Sequence, residues 1–196
     1  YFSEVMGNAT RTLIWNAALI KKIFLPREMF PVASAYVAVV HFVPQLVVLL
    51  AGSLYYGWRP TVLGLVAVLA GFLIVTFAAL GLGLIFGCLN VFFRDSENLV
   101  DLILMIATWV SPVLYSASMV RETVPEWIWH VYQANPVTVA VELFHYGFWS
   151  TATGQSVPGI GSFLVLTLIG LVGSLIVLGL GQLAFKRTEG KFAQEL

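Results

Sequence analysis

Residues 29–58, 60–93, 102–120 and 143–185 contain no aspartate, glutamate, lysine or arginine. A helix needs about 20 mainly apolar residues to cross a hydrocarbon core about 30 Å thick. No water is available there, so every backbone N–H and C=O must be satisfied within the chain, and only helices and closed barrels meet that demand. Runs of this length select helices, so the expected fold class is all-α, a polytopic helical membrane protein. Charged residues make up only 10% of the chain, against about 25% in soluble domains. The net charge is zero, and no basic patch exists to hold phosphates, which argues against nucleic acid as a partner. The single cysteine, Cys88, rules out a disulfide framework within one chain. The sequence opens on Tyr1, and 1–14 reads as the end of a helix already under way. The expectation is therefore a truncated first segment.

Basic residues set orientation, because positively charged loops stay in the cytoplasm. Lys21, Lys22 and Arg27 form one cluster, Arg94 marks a later break, and Lys186, Arg187 and Lys191 form a C-terminal cluster. Placing these inside leaves Arg59 and Arg121 outside, each beside interfacial aromatics (Tyr55, Tyr56, Trp58; Trp127, Trp129). Full crossings are then expected at about 30–56, 60–90, 99–118 and 159–185, with a cytoplasmic tail at 186–196. Parity leaves 127–149 without a crossing of its own. That segment holds His130, Gln133, Glu142 and His145, and Asn135-Pro136 breaks it in the middle. It reads as a re-entrant or interfacial hairpin on the outer face. Such backbone persists at membrane depth only when buried in protein or lining a water-filled cavity.

Between Thr12 and Leu25, residues Leu13, Ala17, Ile20 and Phe24 share one helical stripe, while Lys21 and Lys22 lie elsewhere. Pro26 ends the helix. A short amphipathic helix here suits docking to a soluble partner, or resting in anionic headgroups. In Arg94-Asp95-Ser96-Glu97, Asp95 or Ser96 suits the N-terminus of the following helix. Glu142 and His145 share a helix face at a spacing known from di-iron bundles, but no second pair accompanies them. A polar lining of the hairpin is the preferred reading, with no metal site. Gly83 and Gly87 form a small-xxx-small pair suited to close helix packing, as do Gly170 and Ser174, with Gly52 in a similar role. Aromatics make up 14% of the chain. They suit packing and interface anchoring, or a conduit on which sugar rings stack.

Several chemistries have no motif here. There is no phosphate loop of the Gly-x-x-x-x-Gly-Lys-Ser/Thr type and no zinc-binding His-Glu-x-x-His. There is no Gly-x-Ser-x-Gly elbow, and no catalytic constellation is expected. Paired acids or an arginine ladder, which proton-coupled pumps and voltage sensors need, are not evident.

The segment Asn16-Ala-Ala-Leu19-Ile20-Lys21-Lys22-Ile-Phe24-Leu-Pro26-Arg27-Glu28 resembles the cytoplasmic element of permeases from polysaccharide-exporting ABC transporters. That family exports O-antigen, teichoic acid and related lipid-linked glycans. Asn90-Val-Phe-Phe-Arg94-Asp95, then Ser111-Pro112-Val-Leu-Tyr115, then Ala134-Asn135-Pro136 follow in the family's order. The ending Glu189 to Leu196 is similar as well. The resemblance implies a six-span permease acting as a homodimer with a second copy of itself, in the bacterial plasma (inner) membrane, its C-terminus cytoplasmic. It implies two separate ATPase subunits that carry ATP and Mg, with no cofactor in this chain and a lipid-linked glycan as substrate. Asn16, Leu19, Ile20, Lys21, Lys22, Phe24, Pro26, Arg27 and Glu28 would then couple to the ATPase, with Arg94 and Asp95 as a second contact. Trp127, Trp129, Asn135, Pro136, Glu142, His145 and Tyr115 would form the outer gate of the channel. Exporters of a drug or small lipid share the fold, and a channel or structural subunit without ATP coupling is the further alternative.

Overall fold

Nine α-helices, and one π-helical turn, account for nearly all of the residues that the computed structural model describes, which are 1–22, 26–115, 117–150 and 163–195. In chain order they are α1 (Phe2–Trp15), α2 (Ala17–Lys22), α3 (Met29–Tyr55), α4 (Val62–Phe92), α5 (Ser96–Val110), α6 (Ala117–Thr123), α7 (Glu126–Ala134), α8 (Pro136–His145), the π-turn Tyr146–Ser150, and α9 (Phe163–Glu195). Among the described residues, three helices are long and apolar enough to cross a membrane: Met29–Tyr55, Val62–Phe92 and Leu164–Phe192. At about 1.5 Å per residue each exceeds the roughly 30 Å of a hydrocarbon core.

One expected boundary changes. The stretch 99–118 is not one helix. Its helix, α5, is 15 residues long and stops at Val110. Pro112 lies just beyond; it has no N–H to give to the carbonyl four residues back, and its ring crowds that turn. Ser111 instead turns its hydroxyl to the carbonyl of Ala107 at 2.8 Å. At the other end, residues 186–195, expected as a cytoplasmic tail, are helical and continue α9. Phe192 lies two turns beyond Phe185, both fully buried, and the rings meet edge to face at 5.3 Å. That anchor keeps the last turns wound despite Gly190.

By contacts the chain forms two units. The first comprises Tyr1–Val43, Thr76–Ile106 and Leu175–Leu196; the second comprises Pro44–Val75 and Ala107–Ser174. The basic residues that charge pattern assigns to the cytoplasm all belong to the first unit, whereas Arg59 and Arg121 belong to the second. Within the first unit, Leu13, Ile20, Leu84, Cys88, Val91, Phe185 and Phe192 form one apolar core, and Val5, Ala35, Ala38 and Ala79 another. Small residues make this possible. A methyl group at Gly83 would stand 2.6 Å from Cβ of Ala9, and one at Gly81 would stand 2.6 Å from the backbone nitrogen of Leu178. Without a hydrophobic driving force between helices in lipid, such close backbone approach supplies the dispersion contact that holds them. Gly52 differs from that expectation, since among the described residues nothing lies within 4 Å of its would-be side chain. In the second unit, Ala67 and Ile74 of α4 pack on Val139, Ala140 and Leu143 of α8. Trp129 and Tyr132 pack on Ala117.

Candidate functional site

The first unit carries the segment expected to couple to a partner. Asn16 closes α1: its Nδ2 donates to the Thr12 carbonyl at 2.8 Å, while its own carbonyl accepts from Leu19 and Ile20. One residue therefore ends a helix and starts the next at a new angle. Of α2's six residues only Ile20 is buried, fixed in the core beside Leu13 and Phe185. Leu19 is 40% exposed, and Lys21 and Lys22 are exposed. Ile20 thus anchors α2, and its neighbours present the surface. Phe24 lies outside the described residues. Pro26 and Arg27 form a turn, their carbonyls accepting from Met29 and Phe30, and Glu28 is partly buried beside it.

The same unit holds the second charged break. Arg94 and Asp95 are exposed in the turn between α4 and α5, and the Asp95 carbonyl accepts from Asn98 and Leu99 at the start of α5. Two polar ties link these elements to α1. Asn90, fully buried, donates from Nδ2 to the Thr10 carbonyl at 3.2 Å. Arg11 bridges both oxygens of Asp101, with Glu97 at 3.7 Å.

The second unit carries the segment expected as the outer gate. Pro125 precedes α7, and Asn135 separates α7 from α8. The Asn135 side chain accepts from the backbone N–H of Val137 at 3.0 Å, and Pro136 occupies the first helical position, where a missing N–H costs nothing. Trp127 is 70% exposed, whereas Trp129 is buried and stacks on Tyr132 at 5.8 Å. The Tyr115 hydroxyl lies 2.9 Å from the Val110 carbonyl, at the end of α5, and accepts from Tyr132 at 3.4 Å. Burial pushes the Tyr132 phenol well above the usual tyrosine range, with the Tyr115 hydroxyl and the charge of Glu142 acting in the same direction.

Glu142 is 8% exposed. Its Oε1 lies 3.8 Å from Nδ1 of His145, and its Oε2 has no hydrogen-bond partner among the described residues. The hydroxyl of Thr138, one turn earlier, is also buried and has no hydrogen-bond partner among the described residues. His145 borders a cavity of about 860 Å³ whose lining also includes Val48, Leu49, Gly52, Phe144, Phe148 and Trp149. Trp58 closes the nearby backbone by donating from Nε1 to the Gly147 carbonyl at 2.9 Å. Tyr115 and Tyr132 meet, as do Glu142 and His145, whereas Trp127 stands apart on the surface. Among the described residues no group of three or more His, Cys, Asp or Glu side chains is placed to hold a metal.

A count of Asp, Glu, Lys and Arg alone passes over one pair. In the first unit, Nδ1 of His41 in α3 lies 2.5 Å from Oε1 of Glu4 in α1. The available signal was a single imidazole inside a run without aspartate, glutamate, lysine or arginine.

The family model described as ABC-2 type transporter matches residues 18–149, more than half of the chain. An O-antigen export system permease protein RfbA of Klebsiella pneumoniae is 34% identical over 125 residues, which cover 62% of this chain and 47% of that protein. A second protein of that name from the same organism is 33% identical over 125 residues, with the same shares. One from Myxococcus xanthus is 30% identical over 125 residues, covering 62% of this chain and 46% of its own length. The chain spans about half the length of these curated relatives.

Proposed function

The chain belongs to the ABC-2 type transporter family, and from that premise we propose that it is the permease subunit of an ATP-driven exporter. Its cargo in this reading is a lipid-linked polysaccharide moved from the cytoplasm across the bacterial inner membrane. The O-antigen export permeases it resembles support that choice of cargo. In this reading hydrolysis takes place on a partner ATPase, as membership of the ABC-2 family implies. The working unit is two permeases with two ATPases, each permease having the six-span fold, a cytoplasmic C-terminus and an outer re-entrant hairpin at 127–149.

The observation that carries the proposal is the geometry of α2. It lies between α1 and the long helix α3, is pinned by Ile20, and turns Leu19, Lys21 and Lys22 outward. A surface with a fixed base transmits force. ATP binding closes the partner ATPases, α2 carries the motion through Ile20 into the packed helices, and the turn at Arg94-Asp95 serves as a second contact. The glycan then leaves past the hairpin, whose aromatic and polar side chains, including Glu142 and His145, form the gate.

Co-purification from native membranes tests this. The full permease should bring down a stoichiometric soluble ATPase, and Lys21→Glu with Lys22→Glu should weaken that association and export together. Normal association and export in the double variant would sink the coupling assignment. One observation favours a second reading: a mainly apolar cavity of about 860 Å³ is of the size that holds a small hydrophobic ligand. Export of a small lipid, with surface glycan unaffected by loss of the gene, would establish that alternative.

A further inference from the structure

His41 is one residue short of the middle of α3, and Thr76 is one residue short of the middle of α4. Both helices are long enough to cross a bilayer. At that level α1 brings two polar groups to meet them. Glu4 pairs with His41 at 2.5 Å, and the Tyr1 and Thr76 hydroxyls lie 3.1 Å apart. The Tyr1 ring packs on Phe42 at 5.3 Å. Three helices of the first unit therefore gather four polar side chains at mid-depth.

Neither side chain of this pair is enclosed by the described residues. The His41 side chain is 58% exposed and that of Glu4 is 30% exposed. Ionisable groups at the bilayer centre are costly against lipid tails, and they face protein or a water-filled cavity instead. Around α3, Val32 and Val40 are exposed and apolar, as a lipid-facing surface should be, while Val37, His41 and Gln45 follow one another at four-residue spacing on a single face.

Resting on the exporter reading, we propose that Glu4 and His41 form a polar station on the wall of the translocation passage, with the hydroxyl groups of the sugar chain as their ligand. The carboxylate accepts from two oxygens, and the imidazole donates or accepts according to tautomer. Together they match a ring bearing neighbouring hydroxyls, each of which both donates and accepts. Such a site binds by interchangeable hydrogen bonds, so successive sugars can occupy it as the chain advances.

The test is substituted-cysteine labelling in membranes holding the full permease with its ATPase, on a Cys88→Ala background. His41→Cys should react with a small water-soluble methanethiosulfonate roughly tenfold faster than Val40→Cys, because reactivity follows access to water and thiolate. A cationic reagent should outpace an anionic one, and Glu4→Gln should remove that preference. A parallel export assay covers any misfolding of the cysteine variant: His41→Gln should retain export, and His41→Leu should lose it while the ATPase still co-purifies. Labelling of His41→Cys only by a lipid-soluble maleimide, or its disulfide with the same position of a second copy, would overturn the station. So would full export by His41→Leu. Failure of the ATPase to co-purify with the unmodified permease is a separate result, and it tells against the exporter reading itself.

Discussion

Asn90 of α4 donates its side-chain amide to the backbone carbonyl of Thr10 in α1, and its own Oδ1 is buried without a hydrogen-bond partner among the described residues. A buried amide satisfied on one side only is a sensitive joint. Asn90→Asp puts an acceptor, and at neutral pH a charge, where a donor is needed. It should destabilise the protein more than Asn90→Leu, which removes both groups at a cost of about 1 kcal/mol for the lost bond. Thermal unfolding in detergent, followed by helical circular dichroism, should rank the variants wild type, Leu, Asp. Equal melting of Asp and Leu would mean that the joint is open to water.

The apolar runs were enough to place α3 and α4 within about two residues, because in lipid the requirement for internal hydrogen bonding leaves the chain few alternatives. The break at Asn135-Pro136 was equally plain, since an asparagine cap followed by proline acts locally. The stop at Val110 was missed because charge counting ignores Pro112. The helical state of residues 186–195 depends on Phe192 reaching Phe185 and Phe92, which no local pattern reveals. The Glu4–His41 pair joins positions 37 residues apart, and periodicity carries no information at that range. The stripe Leu13, Ala17, Ile20 and Phe24 already separated Ile20 from Leu19, and the packing of α2 makes Ile20 the buried anchor.

Arg11 meets both carboxylate oxygens of Asp101, with Glu97 close by, and so fixes α1 against α5. Asp101 is 56% exposed, so the coupling should be modest, up to about 1 kcal/mol. A double-mutant cycle of Arg11→Gln and Asp101→Asn should show it. Charge reversal at Arg11 alone (Arg11→Glu) should be worse than neutralisation, because it adds repulsion from Glu97 and Asp101. The exchange Arg11→Asp with Asp101→Arg should recover most of the loss. Additive effects would show that the pair forms no functional tie.

Asn135 caps α8 through Val137 and sets the angle between α7 and α8. Removing an N-cap costs typically about 1 kcal/mol. Asn135→Ala should lower the melting temperature by a few degrees, and Asn135→Asp should restore it, since a carboxylate accepts the same bond and also favours the helix N-terminus. Because the cap sits in the segment proposed as the gate, export in Asn135→Ala should fall more than stability does. A loss of export that tracks stability alone would reduce Asn135 to a structural cap.

Tyr132 links the hairpin to Tyr115, and burial, then Tyr115 and Glu142, push its phenol upward. The sign of the pH effect follows. A group whose pKa is raised on folding holds its proton in the native state after the unfolded chain has released it. Stability is therefore undiminished below the unfolded tyrosine value of about 10 and falls as pH rises above it. Denaturation midpoints should drop between neutral pH and strongly alkaline conditions, and Tyr132→Phe should flatten part of that drop. Ultraviolet absorbance near the tyrosinate band should show one fewer late-titrating phenol in the variant. If Tyr132→Phe leaves both curves unchanged, the phenol is in contact with water, and the Tyr132–Tyr115 bond at 3.4 Å contributes nothing to holding the hairpin.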